Sequence, residues 1–275
     1  MRSKLQPFSR PPVSAFSSLY QRALAAQWTA DEVLDWQKLA FNRLPAGLRQ
    51  AMATVYSDVC FAEEFGLGLT ARMVDLAGEG LLRDFARLQT RDEARHVAFF
   101  SRVLMVLEAE AEQSSELWEL RTELDCVGDY YELVLHTQVI EIAAQVVFTT
   151  FALRSLELMR GSIRVPGSES VMALLQAVVK LVGADESRHI AFGSRCIQSH
   201  LATAGVISRH RFEQQARASA RLVYQAFERR SNEFARLGWA PSDVLDRAWR
   251  SLYLQLGRLE LDIGGAELCG TSRSD

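Results

Sequence analysis

Proline is scarce in this sequence. Only six prolines occur in 275 residues, and three of them, Pro7, Pro11 and Pro12, fall before residue 16. Because proline interrupts helices, and because alternating patterns with a period of two are nearly absent, long helices are favoured over strands. The sequence therefore predicts an all-α fold.

The early prolines also bear on the N-terminus. The N-terminus is basic, with Arg2 and Lys4, but prolines stand where the apolar core of a signal peptide would be needed. We expect residues 1–15 to be a flexible arm and residues 16–262 to form a single helical domain. Residues 263–275, which contain Gly and Ser, are expected to be a flexible tail.

Other absences exclude whole classes of protein. The net charge is −3 with both signs interspersed, so we expect no nucleic-acid partner. There is no run of about 18 uncharged apolar residues, so we expect no transmembrane helix and no membrane partner. The cysteines form no Cys-x-x-Cys pair, which favours free buried thiols in a reducing cytoplasm. They are Cys60, Cys126, Cys196 and Cys269.

Helical periodicity predicts four long helices, arranged as two hairpins with further helices before and after them. Thr29 and Glu32 fit a capping box that opens a helix reaching about Phe41. The long helices are expected at about 48–77, 81–109, 129–160 and 169–200, with a short one within 110–128 and two more near 208–236 and 242–258.

The pentapeptide Asp-Glu-x-Arg-His occurs twice, at residues 92–96 and 185–189. Its Glu and His are three residues apart and so share one helix face. Each pair also lies on an apolar stripe, where a carboxylate is costly unless it is protonated, paired or bound to metal. In the fourth long helix this stripe is Leu175, Val179, Val182, Glu186, His189, Gly193 and Cys196. We predict that Glu93, His96, Glu186 and His189 bind metal.

The remaining ligands are expected on the other helix of each hairpin, at the same distance from the turn. In the second hairpin this position is Glu141; Glu157 would lie near the loop, about 22 Å from the height of the site. In the first hairpin Glu63 and Glu64 both lie near the mirror position. Glu63 is favoured because its stripe carries the larger apolar side chains, and Glu64 remains the alternative.

Four glutamates and two histidines would balance two divalent cations and leave the buried site neutral. Carboxylates and imidazoles suit iron or manganese. Asp92 and Asp185, which precede the motif glutamates, are expected to support the site by hydrogen bonding to the ring N–H of the histidine on the neighbouring helix. His136 is instead expected to be a satisfied core or pocket residue.

In its order of Glu, Glu-x-x-His, Glu, Glu-x-x-His, the chain resembles the ferritin-like di-iron carboxylate superfamily over roughly residues 50–200. It is also similar to ribonucleotide reductase small-subunit-like oxidases, bacterial multicomponent hydroxylases and arylamine N-oxygenases. Two departures stand out. Phe100 occupies the place of the radical-bearing tyrosine of a typical reductase subunit, and Val182 occupies the place of the extra histidine ligand of the N-oxygenases.

The resemblance implies a ferritin-like helix bundle that holds two Fe ions, or one Mn and one Fe, and activates O2. We expect a cytoplasmic oxygenase or oxidase that hydroxylates or N-oxygenates a small organic substrate. Electrons would come from an external reductase or ferredoxin, because no flavin or nicotinamide fingerprint is present. A homodimer is also expected. The alternatives are a radical-generating reductase-like subunit and a non-enzymatic iron-binding protein.

Small and aromatic residues on the ligand stripes are candidates for an apolar substrate pocket, since small side chains beside metals leave space. The competing interpretation is that they only let helices approach closely. The candidates are Gly66, Phe100, Ala144, Phe148, Phe151, Val182 and Gly193.

Overall fold

A computed structural model describes residues 13–108, 113–160 and 166–263, with the side chains of 13–16 and 151–160 left undescribed. These residues form ten α-helices and no strand, which confirms the predicted all-α fold. The helices are α1 (Val13–Ala25), α2 (Ala46–Leu76), α3 (Leu81–Leu107), α4 (Ser115–Asp125), α5 (Tyr130–Arg160), α6 (Ser168–Ala177), α7 (Gly183–Leu201), α8 (Val206–Arg229), α9 (Ser231–Arg236) and α10 (Pro241–Gly257).

The predicted four-helix arrangement is present. α2 and α3 form the first hairpin, and α5 packs against α6 and α7 to form the second. α1 lies across α3 and α7, while α8 and α10 cover α5 from outside. Because α1 begins at Val13, its first turn lies within the segment expected to be a flexible arm.

The core is divided into two main apolar clusters along the bundle. On α2, the buried apolar residues from Met52 to Cys60 belong to one cluster, and those from Phe65 onward belong to the other. The same change of cluster occurs on α3 near Glu93, on α5 near Ala144 and on α7 near Glu186. A single layer between the clusters therefore receives polar side chains from all four helices.

The segment between α1 and α2 differs from the prediction of a capping-box helix. The Thr29 hydroxyl donates to the Glu32 carboxylate at 2.7 Å, so Glu32 does not reach back to the backbone as a capping box requires. The segment forms turns and two short 3₁₀ helices, Trp36–Lys38 and Phe41–Arg43. The Trp36 indole donates to the carbonyl of Ala30 at 2.8 Å, which stabilises this irregular path.

A π-helical turn, Val178–Val182, separates α6 from α7. The N–H of Gly183 bonds the carbonyl of Val178, five residues earlier, so the turn is wider than in an α-helix. This shifts the inward-facing positions. Val178 is fully buried, whereas Val179, which the sequence placed on the buried stripe, is 38% exposed.

Within the described residues, the Tyr130–Thr150 window of α5 is long and apolar enough to cross a membrane. About 72% of this window is buried inside the protein, as expected for the central helix of a bundle, so it is weak support for a membrane span. Cys60, Cys126 and Cys196 are free thiols, as predicted, and Cys60 and Cys196 are buried. Cys126 is exposed, so the prediction of burial is wrong there, and Cys269 lies outside the described residues.

Candidate metal centre

Six polar side chains occupy the layer between the two apolar clusters. Each is almost fully buried, and they come from all four helices of the bundle. They are Glu63 of α2, Glu93 and His96 of α3, Glu141 of α5, and Glu186 and His189 of α7. The structure thus brings together all six residues that the sequence predicted as ligands.

The two imidazoles set the geometry of this cluster. The Nδ1 atom of His96 lies 3.1 Å from Glu63 Oε2, and Nδ1 of His189 lies 3.5 Å from Glu141 Oε1. Glu63 and Glu141 therefore flank opposite ends of the cluster, each beside one histidine.

The other two glutamates lie between the histidines. Glu93 Oε2 is 3.7 Å from His96 Nδ1, and its Oε1 is 3.4 Å from His189 Nδ1. Glu186 Oε1 is 3.2 Å from His96 Nδ1, and its Oε2 is 3.8 Å from His189 Nδ1. Each carboxylate thus turns one oxygen to each ring, as a ligand shared by two ions would.

The donor atoms fall into two overlapping groups. Glu63, Glu93, His96 and Glu186 form one, and Glu93, Glu141 and His189 form the other, with the atoms of each within 4.8 Å of one another. Carboxylate and imidazole donors suit iron and manganese. The arrangement fits two adjacent ions, with Glu93 common to both groups.

One buried atom supports this fit directly. Nδ1 of His189 is buried, and no residue in the described part of the chain hydrogen-bonds it. A buried polar atom without a partner is destabilising. A metal ion between the ring and the nearby carboxylates would satisfy this atom.

The electrostatics of the cluster are those of crowded buried charges. Burial raises the pKa of Glu141 to about 8 and raises that of Glu63 well above its usual range. Burial also acts to raise the pKa of Glu186, but the adjacent imidazoles of His189 and His96 outweigh it and lower that pKa to about 2. Burial opposes protonation of His96 and His189, yet the carboxylates around them raise both pKa values. The metal-free cluster therefore retains protons that metal binding must displace.

The far side of each imidazole contacts an aspartate from the other motif. His96 Nε2 lies 3.2 Å from Asp185 Oδ2, and His189 Nε2 lies 3.2 Å from Asp92 Oδ2. These are the contacts that the sequence anticipated. Each would place the ring proton on Nε2 and leave Nδ1 free to face the cluster.

A layer outside the aspartates was not foreseen from the sequence. Arg95 donates to Asp92 at 2.6 Å and to Asp185 at 3.2 Å, and Arg188 is paired with Asp185. The Trp28 indole donates to Asp185 at 2.9 Å and stacks on the His96 ring. The repeated Arg of the pentapeptide was the available signal for the arginines, whereas nothing local pointed to Trp28.

The structure does not place the alternative ligand candidates in the cluster. Glu64 is exposed on α2, away from the cluster. The side chain of Glu157 lies outside those that the structure describes. His136 is buried, and its Nδ1 lies 2.6 Å from the hydroxyl of Ser219 on α8, as expected for a satisfied core residue.

Most of the residues predicted to line a substrate pocket pack against other side chains. Phe100 stacks with Tyr56 and with Phe148, and Val182 is fully buried in the same apolar cluster. A Cβ on Gly66 would lie 3.4 Å from Glu93 Oε2, and one on Gly193 would lie 2.4 Å from the Gln138 amide. The two glycines therefore allow close approach of other side chains. The side chain of Phe151 is outside the described residues.

A cavity with about 70 Å³ of space lies beside the cluster, between α2, α5 and α8. Glu63 and Ala144 contribute to its wall, and apolar side chains such as Val59 and Val147 line most of it. Asp58 and Arg230, which form an ion pair at 2.6 Å, also line it. Of the predicted pocket residues, Ala144 is therefore part of an apolar cavity that adjoins a predicted ligand.

A scan of protein-family models found no match, and a search of curated proteins found none either. Solved structures, in contrast, share the fold. A point variant of an R2-like ligand-binding oxidase with anaerobically reconstituted Mn/Fe cofactor matches with a TM-score of 0.61 at 17% identity, over 90% of this chain and 94% of that one. Another variant, with aerobically reconstituted Mn/Fe cofactor, gives 0.59 at 15% identity, over 90% and 94%. The fold is therefore the ferritin-like helix bundle of R2-like oxidases.

Proposed function

We propose that this protein is an O2-activating oxidoreductase that binds two Fe ions, or one Mn and one Fe, between α2, α3, α5 and α7. The observation that carries the proposal is the placement of Glu93 and Glu186, each with one oxygen toward His96 and the other toward His189. Carboxylates shared in this way would hold two ions side by side. The Mn/Fe cofactors named for the structural neighbours are consistent with it.

The side chains would have different roles at such a centre. His96 and His189 would bind through Nδ1, with Nε2–H donated to Asp185 and Asp92. Glu63 and Glu141 would complete the two ends. Two reduced ions held there would supply the electrons needed for O2 chemistry. The apolar clusters on either side exclude water from the reaction.

The cavity beside Glu63 favours a protein that acts on an organic substrate over one that only binds iron. Its wall is mostly apolar and includes Ala144, so a small apolar molecule would fit next to the proposed ion at His96. We favour hydroxylation or N-oxygenation of this substrate, with electrons from an external reductase or ferredoxin in the cytoplasm.

The proposal is tested by loading metal-free protein with Fe(II) without oxygen, or with equal Mn(II) and Fe(II), and then adding O2. We expect two ions per chain, rapid O2 uptake, and a gain of one oxygen atom by an apolar amine or hydrocarbon, detected by mass spectrometry. Glu93→Gln should lose uptake, and Glu79→Gln, in the exposed turn before α3, should retain it. Growth of an iron mineral with many ions per chain would instead identify an iron-storage protein.

A further inference from the structure

Glu141 is held by two glutamine amides. Gln89 Nε2 donates to Glu141 Oε1 at 2.6 Å, and Gln138 Nε2 donates to Glu141 Oε2 at 3.3 Å. Both glutamines are almost fully buried. The two carboxylate oxygens therefore have separate donors, and the carboxylate cannot rotate without breaking a buried hydrogen bond.

Gln138 is itself fixed in place. Its Nε2 also donates to the backbone carbonyl of His189 at 3.3 Å, and its Oε1 accepts from the Ser194 hydroxyl at 3.2 Å. The amide lies where a Cβ on Gly193 would be, only 2.4 Å from Nε2. The glycine of α7 therefore makes room for the Gln138 amide in its observed position.

Glu63, at the opposite end of the cluster, has a different environment. In the described part of the chain its carboxylate hydrogen-bonds only with Nδ1 of His96. It also lines the apolar cavity, where the guanidinium of Arg230 is paired with Asp58 and not with Glu63. The two terminal carboxylates are thus unequal, one fixed by amides and the other next to open space.

We propose that Gln89 and Gln138 are positioning residues that hold Glu141 as a fixed ligand of the ion beside His189. Changes of coordination would then be confined to Glu63 and an ion beside His96, and an exogenous ligand would reach that ion alone, from the cavity. This inference rests on the proposed di-metal function, because it requires an ion at each histidine.

The test uses Gln89→Leu and Gln138→Leu, which replace each amide by an apolar side chain of similar size. Metal-free protein is titrated with Co(II), and its visible bands are followed. Wild type should bind two Co(II) ions tightly. Each variant should bind one of the two at least about tenfold more weakly, because loss of a hydrogen bond to a metal ligand typically lowers metal affinity about 10- to 100-fold. Thr137→Val removes a neighbouring buried hydroxyl of α5 that bonds the Leu133 carbonyl, and it should leave both equivalents unchanged.

Two further measurements separate positioning from general packing. In a Glu141→Gln background, Gln89→Leu should cause no additional loss of Co(II) affinity, because the two changes act through one ligand. Azide is expected to bind one Co(II) ion of wild type, so the visible bands should stop changing after one equivalent of azide per chain. In the Gln89 and Gln138 variants azide should bind both ions, so the bands should change up to two equivalents. If either leucine variant does not fold, Gln89→Asn, which keeps the amide but withdraws it by one methylene, carries the same prediction.

The outcomes are distinguishable. Wild type that fails to bind two Co(II) ions would overturn the proposed function itself. Wild type with two ions, together with variants that keep both affinities and one azide site, would overturn the positioning role alone. Equal weakening of both ions would also overturn it, because the effect would then not be local to Glu141.

Discussion

His96 and Asp185 belong to different copies of the pentapeptide, yet Nε2 of His96 lies 3.2 Å from Oδ2 of Asp185. His189 and Asp92 make the reciprocal contact at the same distance. Each copy therefore supplies a histidine to its own end of the cluster and an aspartate to the histidine of the other copy. This exchange ties α3 to α7 at the height of the proposed metal centre.

Asp185→Asn should weaken metal binding about 10- to 100-fold, the usual effect of losing a carboxylate behind a metal-binding histidine. An amide oxygen can still accept the ring proton, but it carries no charge and leaves the imidazole less basic. Metal titration followed by elemental analysis would measure the change. Asp84→Asn, at a half-exposed position of α3, is the control. Equal affinity in both variants would contradict a role for Asp185.

The neighbouring pair Glu63 and Glu64 offers a matched test of the first ligand. Glu63 is buried in the cluster and Glu64 is exposed one residue away. Glu63→Gln should reduce metal content from two ions per chain toward one, whereas Glu64→Gln should keep two. Metal content measured after exhaustive loading and gel filtration would decide. Loss of metal in the Glu64 variant alone would reverse the assignment.

A second matched pair lies on α5. Glu141→Ala should lose one metal equivalent, while Glu157→Ala should keep both. The reason is distance, because 16 residues of one helix separate their backbones by about 24 Å. The same elemental analysis applies, and equal metal content in the two variants would refute the mirror argument that selected Glu141.

The mirror argument shows why this cluster could be predicted from the sequence. α2 and α3 are long antiparallel helices joined by a tight turn, so equal distances from the turn give equal heights, and Glu63 meets Glu93. The apolar residues at helical spacing then indicated which face of each helix is buried. These regularities are local to each helix or hairpin, and so they are visible in one sequence.

The contacts of Trp28 in the outer layer could not be predicted because they join distant segments. Trp28 and Asp185 are 157 residues apart, and the local sequence around Trp28 favoured a helix that does not form. Val179 was misplaced because periodicity assumes an unbroken α-helix, whereas a π-helical turn lies there. The fit of Gln138 over Gly193 depends on the separation of α5 and α7, which no single-helix pattern contains.

Ala144→Leu should fill part of the cavity without affecting metal binding. The added methyl groups would occupy space beside Glu63 in an apolar wall. Xenon enters empty apolar cavities, so ¹²⁹Xe NMR should show a binding shift in wild type that is lost in the variant. Ala71→Leu, on the exposed side of α2, should retain the wild-type shift. Unchanged xenon binding in Ala144→Leu would show that this cavity is not open to apolar ligands.

His136 should make stability depend on pH. Burial lowers its pKa from 6.5 to about 4, so between these values the unfolded chain binds a proton that the folded protein does not. Its contribution is therefore complete above about pH 6.5 and declines as the pH falls toward 4, by about 3 kcal/mol at most. His136→Gln, whose amide can still bond Ser219, should lose less unfolding free energy than wild type between pH 7.5 and 4.5 in urea titrations. His210→Gln, at an exposed position of α8, should follow wild type, and a His136 variant that does the same would show that this histidine is not the titrating group.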